Sequence, residues 1–251
     1  MHIRRFYVPA LDADDGTVLL PEGESQHALR VLRLAPGDRL RLLNGRGLVA
    51  EAELLPPPDG ARHPRQALCR IVESTLQPRS STALTLCVAP PRGKAFDLVL
   101  KAATELGFAI IRPVLCRFGV ARPEGISPGD QETLVAALKQ SENPYLPQLS
   151  APKEFAKVLG ELLQDGAAGI FGASPAAEAT PHRPFSTAVA RKVTAIWVGP
   201  EGGFAPEEEE ALLSAGVIPV TIGDCTLRVE TAVSALAGYL HGRRETPEEG
   251  A

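Results

Sequence analysis

The sequence has few cysteines, and none of them stands in a pair. Cys69, Cys87, Cys116 and Cys225 are scattered along 251 residues without the C-x-x-C spacing of a zinc site. This distribution argues against a bound metal or a disulfide framework and is typical of a reducing compartment. We interpret each cysteine as a small buried hydrophobic residue rather than as a nucleophile.

Long apolar runs are also missing. No stretch approaches the roughly 18 apolar residues that a membrane-spanning helix needs, and residues 1–16 lack the apolar core of a signal peptide. We therefore expect a cytoplasmic protein without membrane association. Hydrophobic residues make up 44% and charged residues 22% of the chain. This is an ordinary globular composition, and the length allows one large domain or two modest ones.

The chain has no basic excess, because its formal net charge is −4. That value is not the profile of a general nucleic-acid binder. The acidic excess lies toward the C-terminal end, much of it in Glu207–Glu210. An RNA partner would be contacted through local basic clusters and recognised by its shape, rather than bound tightly as naked RNA.

The usual nucleotide-binding fingerprints are absent. No G-x-G-x-x-G follows a strand and no G-K-[ST] occurs, which disfavours a dinucleotide-dependent oxidoreductase and excludes a P-loop. The strongest pattern lies at residues 195–240. There, an apolar strand at 195–198 precedes the glycine-rich turn 199–203, and a second strand at 217–222 precedes the loop 224–228. In an open α/β sheet two such loops meet at the carboxyl edge, where ligands bind.

Between them these two loops carry Glu201, Asp224, Arg228 and Glu230. The glycines beside them allow a ligand to approach the backbone closely. The alternative is structural: the first turn only closes a strand–helix connection, and Glu201 and Glu230 act as helix caps. Two glycine-containing loops, the second with an arginine and a glutamate two residues apart, favour a ligand site.

The rest of the chain divides into a β-rich part and an α/β part. Residues 1–76 show short strands, a helix predicted over Gln26–Leu34 with Ser25 as its N-cap, and a hairpin turn at Asn44-Gly45. From residue 77 onward, strands alternate with helices, which predicts an α/β fold with a mostly parallel sheet. The predicted strands lie near 84–89, 109–115, 168–172, 195–198 and 217–222. A flexible tail is expected at 245–251.

Two groups of polar side chains are candidates for RNA contact. His27, Arg30 and Arg33 are spaced three apart, so they share one face of the predicted helix. Lys94 and Lys101 follow the first strand of the α/β part. The alternative for the first group is an ordinary solvated surface, and for Lys101 an exposed ion pair with its i+4 neighbour Glu105.

The motifs GPEGGF at 199–204 and LRVETA at 227–232 resemble the ribosomal RNA small subunit methyltransferase E family. Those enzymes belong to the SPOUT superfamily and methylate N3 of a uridine in 16S ribosomal RNA. The segment 27–45 is similar to the family's N-terminal domain, and KAATELG at 101–107 is similar to one of its helices. At 139–143 the chain departs from the family, with Lys139-Gln140-Ser141 and Asn143 in place of a Glu-Gln-Ser run and a nearby arginine.

The resemblance implies a PUA-like RNA-binding β-barrel at residues 1–76 and a SPOUT-type knotted, mostly parallel α/β domain at 77–244. It also implies a homodimer whose active site forms between the subunits. The cofactor would be S-adenosylmethionine, held by Gly172, Gly199, Gly202, Gly203, Ile222, Gly223, Leu227 and Thr231. For catalysis Arg228 would stabilise the uridine anion, and Glu201 or Glu230 would take its proton.

The RNA-binding residues implied by the resemblance are His27, Arg30, Arg33, Lys94, Lys101 and Gln140. Two other functions stay open at this point. One is a SPOUT methyltransferase for another RNA base, which the departures at 139–143 keep in view. The other is a non-catalytic RNA-binding factor of ribosome assembly, which the intact motifs at 199–204 and 227–232 disfavour.

Overall fold

The computed structural model describes residues 3–57, 65–79, 83–173 and 193–245, with side chains up to 243. The chain forms two compact units. The first comprises Met1–Ser80 together with Val135–Leu146, and the second comprises Ser81–Leu134 and Pro147–Ala251. Residues 135–146, which the predicted boundaries assign to the second domain, therefore belong to the first unit. The predicted tail lies outside the described residues from position 246 onward.

The first unit is built on a five-stranded sheet with the order β1-β3-β4-β5-β2. Its outer pair β1–β3 is parallel and the other pairs are antiparallel. Side chains of β4 alternate between buried and half-buried, as expected for a strand with one face on the core. The strands are β1 Arg4–Tyr7, β2 Thr17–Leu19, β3 Arg39–Leu43, β4 Leu48–Leu54 and β5 Leu68–Leu76. The hairpin predicted at Asn44-Gly45 is confirmed between β3 and β4.

The helix predicted over Gln26–Leu34 is wrong in its bounds and its form. A short helix, α1, spans Glu22–Gln26 and continues as a π-helical turn over His27–Val31. Ser25 is buried and does not cap a helix. Its hydroxyl donates to the carbonyl of Leu20 at 2.9 Å and accepts the N–H of Ala67 at 3.1 Å. The Ser25 hydroxyl therefore bonds to a distant backbone amide and does not form the helix cap that its position in the sequence predicts.

The second unit is built on a sheet in which every described strand pair is parallel. The strand order is β12-β10-β11-β6-β7-β8, and β9 pairs with β7. The predicted α/β architecture is confirmed, and its trefoil knot stays a prediction. The strands are β6 Thr85–Val88, β7 Ile110–Leu115, β8 Gln148–Leu149, β9 Lys153–Glu154, β10 Ala168–Gly172, β11 Val193–Val198 and β12 Ile218–Val220.

The described helices after α1 are α2 Lys94–Glu105, α3 Pro128–Ser141, α4 Phe155–Gln164, α5 Pro206–Ser214 and α6 Val229–Glu245. Helix α6 packs against α2 and β11. It buries Val229, Val233, Leu236 and Leu240, the stripe expected from their spacing. Within the described ranges, no helix combines the length and apolar character needed to cross a bilayer.

Candidate active site

A cavity of about 310 Å³ opens at the carboxyl edge of the parallel sheet. Its walls come from the ends of β10, β11 and β12, from the loops that follow these strands and from the first turns of α6. Open parallel sheets bind ligands at this edge. The lining residues are Gly172, Ala173, Val198, Gly199, Pro200, Glu201, Gly202, Gly203, Val220, Ile222, Cys225, Thr226, Leu227, Val229, Ala232 and Leu236.

Glycine is required in these walls for reasons of space and backbone geometry. Gly203 has a φ of +78°, and its N–H donates to the carbonyl of Pro200 at 2.8 Å to close a tight turn. A Cβ on Gly199 would lie 3.2 Å from the backbone nitrogen of Phe204, and one on Gly172 would lie 3.2 Å from Leu236 Cδ1. Glycine therefore avoids backbone strain at position 203 and close contacts at positions 199 and 172.

Most of the predicted cofactor residues come together in this cavity. Gly172, Gly199, Gly202, Gly203, Ile222 and Leu227 line it. Gly223 and Thr231 do not line it and are exposed beside it. The sequence analysis did not predict the apolar wall, which is formed by Val198, Val220, Val229 and Leu236. The first two lie at or near the ends of predicted strands and the last two in the predicted α6 stripe, so these patterns could have indicated them.

The three candidate catalytic residues lie at or beside the cavity. Glu201 lines it and is exposed. Arg228 is exposed, and its carbonyl accepts the N–H of Ala232 at 2.8 Å, so its backbone belongs to the start of α6. Glu230 is half-buried in the first turn of α6. Arg228 and Glu230 are thus next to Leu227 and Val229 of the cavity wall, without being part of the lining themselves.

All six candidate RNA-binding side chains are exposed. They are His27, Arg30 and Arg33 in or just after the π-helical turn, Lys94 and Lys101 on α2, and Gln140 on α3. The residues around Gln140 have a structural use in the first unit that sequence reasoning missed. Lys139 forms an ion pair with Glu24 at 2.7 Å, and Glu142 pairs with both Arg5 and Arg41. Partners more than 100 positions apart leave no local signal in the sequence.

One thiol belongs to the cavity and the other three do not. Cys225 is exposed and lines the cavity, whereas Cys69, Cys87 and Cys116 are buried. Burial disfavours the charged thiolate, so it raises the pKa of Cys69 and of Cys116 to about 12. Burial also raises the pKa of Cys87. The expectation of buried, unreactive cysteines therefore holds for three of the four.

A parallel α/β sheet with a glycine-walled cavity at its carboxyl edge defines a ligand-binding α/β protein, and comparison with known proteins gives its family. The model for an RNA methyltransferase domain matches residues 78–241, and the model for an RNA methyltransferase PUA domain matches residues 20–60. Since the first match spans more than half of the sequence, this chain belongs to the RNA methyltransferase family.

Individual relatives agree along nearly the whole chain. The ribosomal RNA small subunit methyltransferase E of Synechocystis is 28% identical over 237 residues, which cover 92% of this chain and 75% of that protein. The protein of the same name from Mycobacterium tuberculosis is 28% identical and covers 93% and 89%. A crystal structure of the Neisseria gonorrhoeae protein of this name, bound to S-adenosyl methionine, superposes with a TM-score of 0.79 at 25% identity, covering 96% of this chain and 98% of that one.

Proposed function

We propose that this protein uses S-adenosylmethionine to methylate N3 of a uridine in the 16S ribosomal RNA of the small ribosomal subunit. The observation that carries the proposal is the cavity, because residues of both GPEGGF and LRVETA, which are separate in sequence, line it. The similar protein of Neisseria gonorrhoeae was crystallised with S-adenosyl methionine. Relatives named for the small subunit ribosomal RNA support the choice of substrate.

The composition of the cavity fits this cofactor. Adenine is flat and neutral, so it suits apolar walls and glycine backbone that can offer N–H and C=O groups at close range. When bound, the cofactor supplies a methyl group on a sulfonium leaving group. Gly199, Gly202 and Gly203 would hold its adenine and ribose from one side, Ile222 and Leu227 from the other, and Gly172 from the third loop.

The protein's own contribution to the reaction is alignment and proton handling. N3 of uridine must lose a proton before it can attack a methyl group. The Arg228 guanidinium would stabilise the resulting negative charge, since a cationic hydrogen-bond donor lowers the energy of a nearby anion. Glu201, in the cavity wall, and Glu230, in the first turn of α6, are the two candidates to accept the proton.

RNA contact is assigned to the exposed polar residues of each unit. His27, Arg30, Arg33 and Gln140 provide it in the first unit, and Lys94 and Lys101 provide it in the second. A net charge of −4 gives little general attraction to RNA. We therefore propose that the folded RNA of the assembled small subunit is the substrate, and that the protein acts in the cytoplasm, where that particle is found.

A homodimer, with the active site completed by a second subunit, is part of the proposal. The apolar stripe of α6 is already used, because Val233 and Leu240 are fully buried within the single chain. A second subunit would therefore pack on other faces of α6 and on its neighbours. Light scattering should give twice the chain mass of 26.6 kDa; a mass near that of one chain would contradict the dimer.

The test is methyl transfer from labelled S-adenosylmethionine to small ribosomal subunits that lack their normal modifications, followed by nucleoside analysis. The expected product is labelled N3-methyluridine. Label on another base would mean that the protein is a methyltransferase with a different target base. If the cofactor neither binds nor reacts, the protein would instead be a non-catalytic RNA-binding factor.

A further inference from the structure

Glu208 is a buried carboxylate to which the proposed reaction assigns no task. It lies in the first turn of α5 and is only 7% exposed. Both of its oxygens accept backbone hydrogen bonds: Oε1 from the N–H of Arg117 at 2.8 Å and Oε2 from the N–H of Ala205 at 2.9 Å. Burial of a carboxylate is costly unless its oxygens are paired. The question is therefore what each of these two hydrogen bonds contributes to the structure.

The bond to Ala205 alone would be an ordinary way to begin a helix. A glutamate at the third helical position commonly accepts the N–H of the capping residue. The bond to Arg117 serves no such purpose, because Arg117 is 91 positions away in the loop that follows β7. Helix capping therefore accounts for one oxygen of Glu208 and leaves the other to be explained.

The two donors belong to two loops that touch each other. Ala205 directly follows the glycine-rich loop 199–204, which forms one wall of the cavity. Arg117 precedes Phe118, whose Cβ lies 3.5 Å from the position of a Cβ on Gly202. The side chain of Arg117 also forms an ion pair with Glu207. The loop after β7 thus backs the glycine-rich loop, and Glu208 joins the two.

Glycine-rich backbone has many accessible conformations, so a binding wall made of it must be held by its surroundings. We propose that Glu208 is a positioning residue of the cofactor site. It bonds the end of the glycine-rich loop to the loop after β7 and thereby keeps Gly199–Gly203 in the shape that receives the ligand. The identity of that ligand as S-adenosylmethionine rests on the proposed function.

The first test uses hydrogen–deuterium exchange of the free protein and needs no ligand. Glu208→Gln keeps the size of the side chain but replaces one accepting oxygen by an NH₂ group, which cannot accept an N–H. Exchange in segments 116–119 and 199–205 should rise about tenfold, the effect of removing one charge-assisted hydrogen bond. Glu210→Gln, an exposed change on the same helix, should leave these segments as in the wild type. Unchanged exchange in Glu208→Gln would overturn the proposal.

The second test measures cofactor affinity and turnover. Glu208→Gln should raise both the dissociation constant and the KM for S-adenosylmethionine about tenfold, with little change of kcat at saturation, because Glu208 does not touch the reacting atoms. Faster loop exchange with wild-type affinity would also overturn the proposal. If the wild type itself does not bind S-adenosylmethionine, the proposed function fails and the exchange result alone decides. Should Glu208→Gln not fold, Glu208→Asp keeps the charge, shortens the reach and is measured in the same way.

Discussion

At the scale of single residues, burial or exposure gives side chains of the same type different roles. The four thiols have the same intrinsic chemistry, yet only Cys225 lies in the cavity wall with access to solvent. The four glutamates of Glu207–Glu210 likewise have the same side chain, and of these only Glu208 is buried. Position in the fold, rather than residue type, therefore assigns the role of each.

A thiol reagent should label native protein at one site, Cys225. The buried thiols of Cys69, Cys87 and Cys116 have raised pKa values, so only a very small fraction of each is present as the reactive thiolate at neutral pH. Titration with a maleimide should end at one equivalent, and saturating S-adenosylmethionine should slow the reaction by covering Cys225. Cys225→Ser is the control and should not react. A second equivalent consumed before unfolding, or no protection by the cofactor, would contradict this expectation.

Replacing Arg228 by alanine should abolish methyl transfer while cofactor binding largely survives. The side chain is exposed next to the cavity and is not part of its lining, so its removal leaves the walls in place and takes away the positive charge that we propose stabilises the uridine anion. Removing an electrostatic stabiliser of this kind lowers kcat by about 10²–10³-fold. Equilibrium dialysis with labelled cofactor should give a dissociation constant within about twofold of the wild type. Loss of cofactor binding together with methyl transfer would show that Arg228 has a structural role.

At the scale of elements, loops of the first unit are joined by long-range backbone hydrogen bonds. Gly47, in the β3–β4 loop, donates to the carbonyl of Pro144 and accepts the N–H of Gln77, each at 2.9 Å. The hydroxyl of Tyr145 donates to the carbonyl of Gln77 at 2.7 Å. Segment 135–146 is thus attached to the first unit partly by backbone hydrogen bonds, which a pattern of side chains in the sequence does not predict.

Gly47→Ala should destabilise the protein more than Gly37→Ala does. Both glycines have positive φ, +101° and +94°, so each substitution carries a backbone strain of about 1–2 kcal/mol. A Cβ on Gly47 would also lie 2.5 Å from the hydroxyl of Tyr145, whereas nothing lies within 4 Å of one on Gly37. This overpacking adds about 1–3 kcal/mol. Urea unfolding measures both variants, and equal destabilisation would mean that Tyr145 moves aside freely.

At the scale of the whole molecule, the candidate groups for the cofactor and for RNA are distributed differently between the two units. The cavity is built entirely from the second unit. The first unit carries the exposed basic group of Arg30 and Arg33, and the PUA-domain match falls on it. RNA affinity and cofactor affinity should therefore be separable by mutation.

The double variant Arg30→Ala/Arg33→Gly should raise the KM for the small subunit and leave cofactor affinity unchanged. Glycine is chosen at position 33 because Arg33 has a φ of +54°, which glycine adopts without strain. The dependence of log affinity on log salt concentration should become shallower by about 1–2, because an arginine that contacts the RNA neutralises about one phosphate. Arg70→Ala removes an exposed charge from the same unit and is the control. An unchanged salt slope in the double variant would exclude these arginines from the RNA interface.

Local periodicity was sufficient to predict most elements of the second unit. The five strands predicted near 84–89, 109–115, 168–172, 195–198 and 217–222 correspond to β6, β7, β10, β11 and β12, because strands buried on both faces read as short apolar runs. Periodicity failed for α1, where the helix begins at Glu22 and Ser25 bonds to Leu20 and Ala67. A tertiary partner overrode a local preference there.

The sequence by itself determined the class of fold and the two motifs of the site, because alternation of strands and helices and the need for glycine in tight turns are local properties. Only the tertiary structure decided which residues share the cavity, that Val198 and Leu236 line it with the glycines, and that segment 135–146 joins the first unit. It also decided that Glu208 is buried between two loops. Hydrophobic periodicity shows which face of an element is buried, but it does not show which distant residues that face meets.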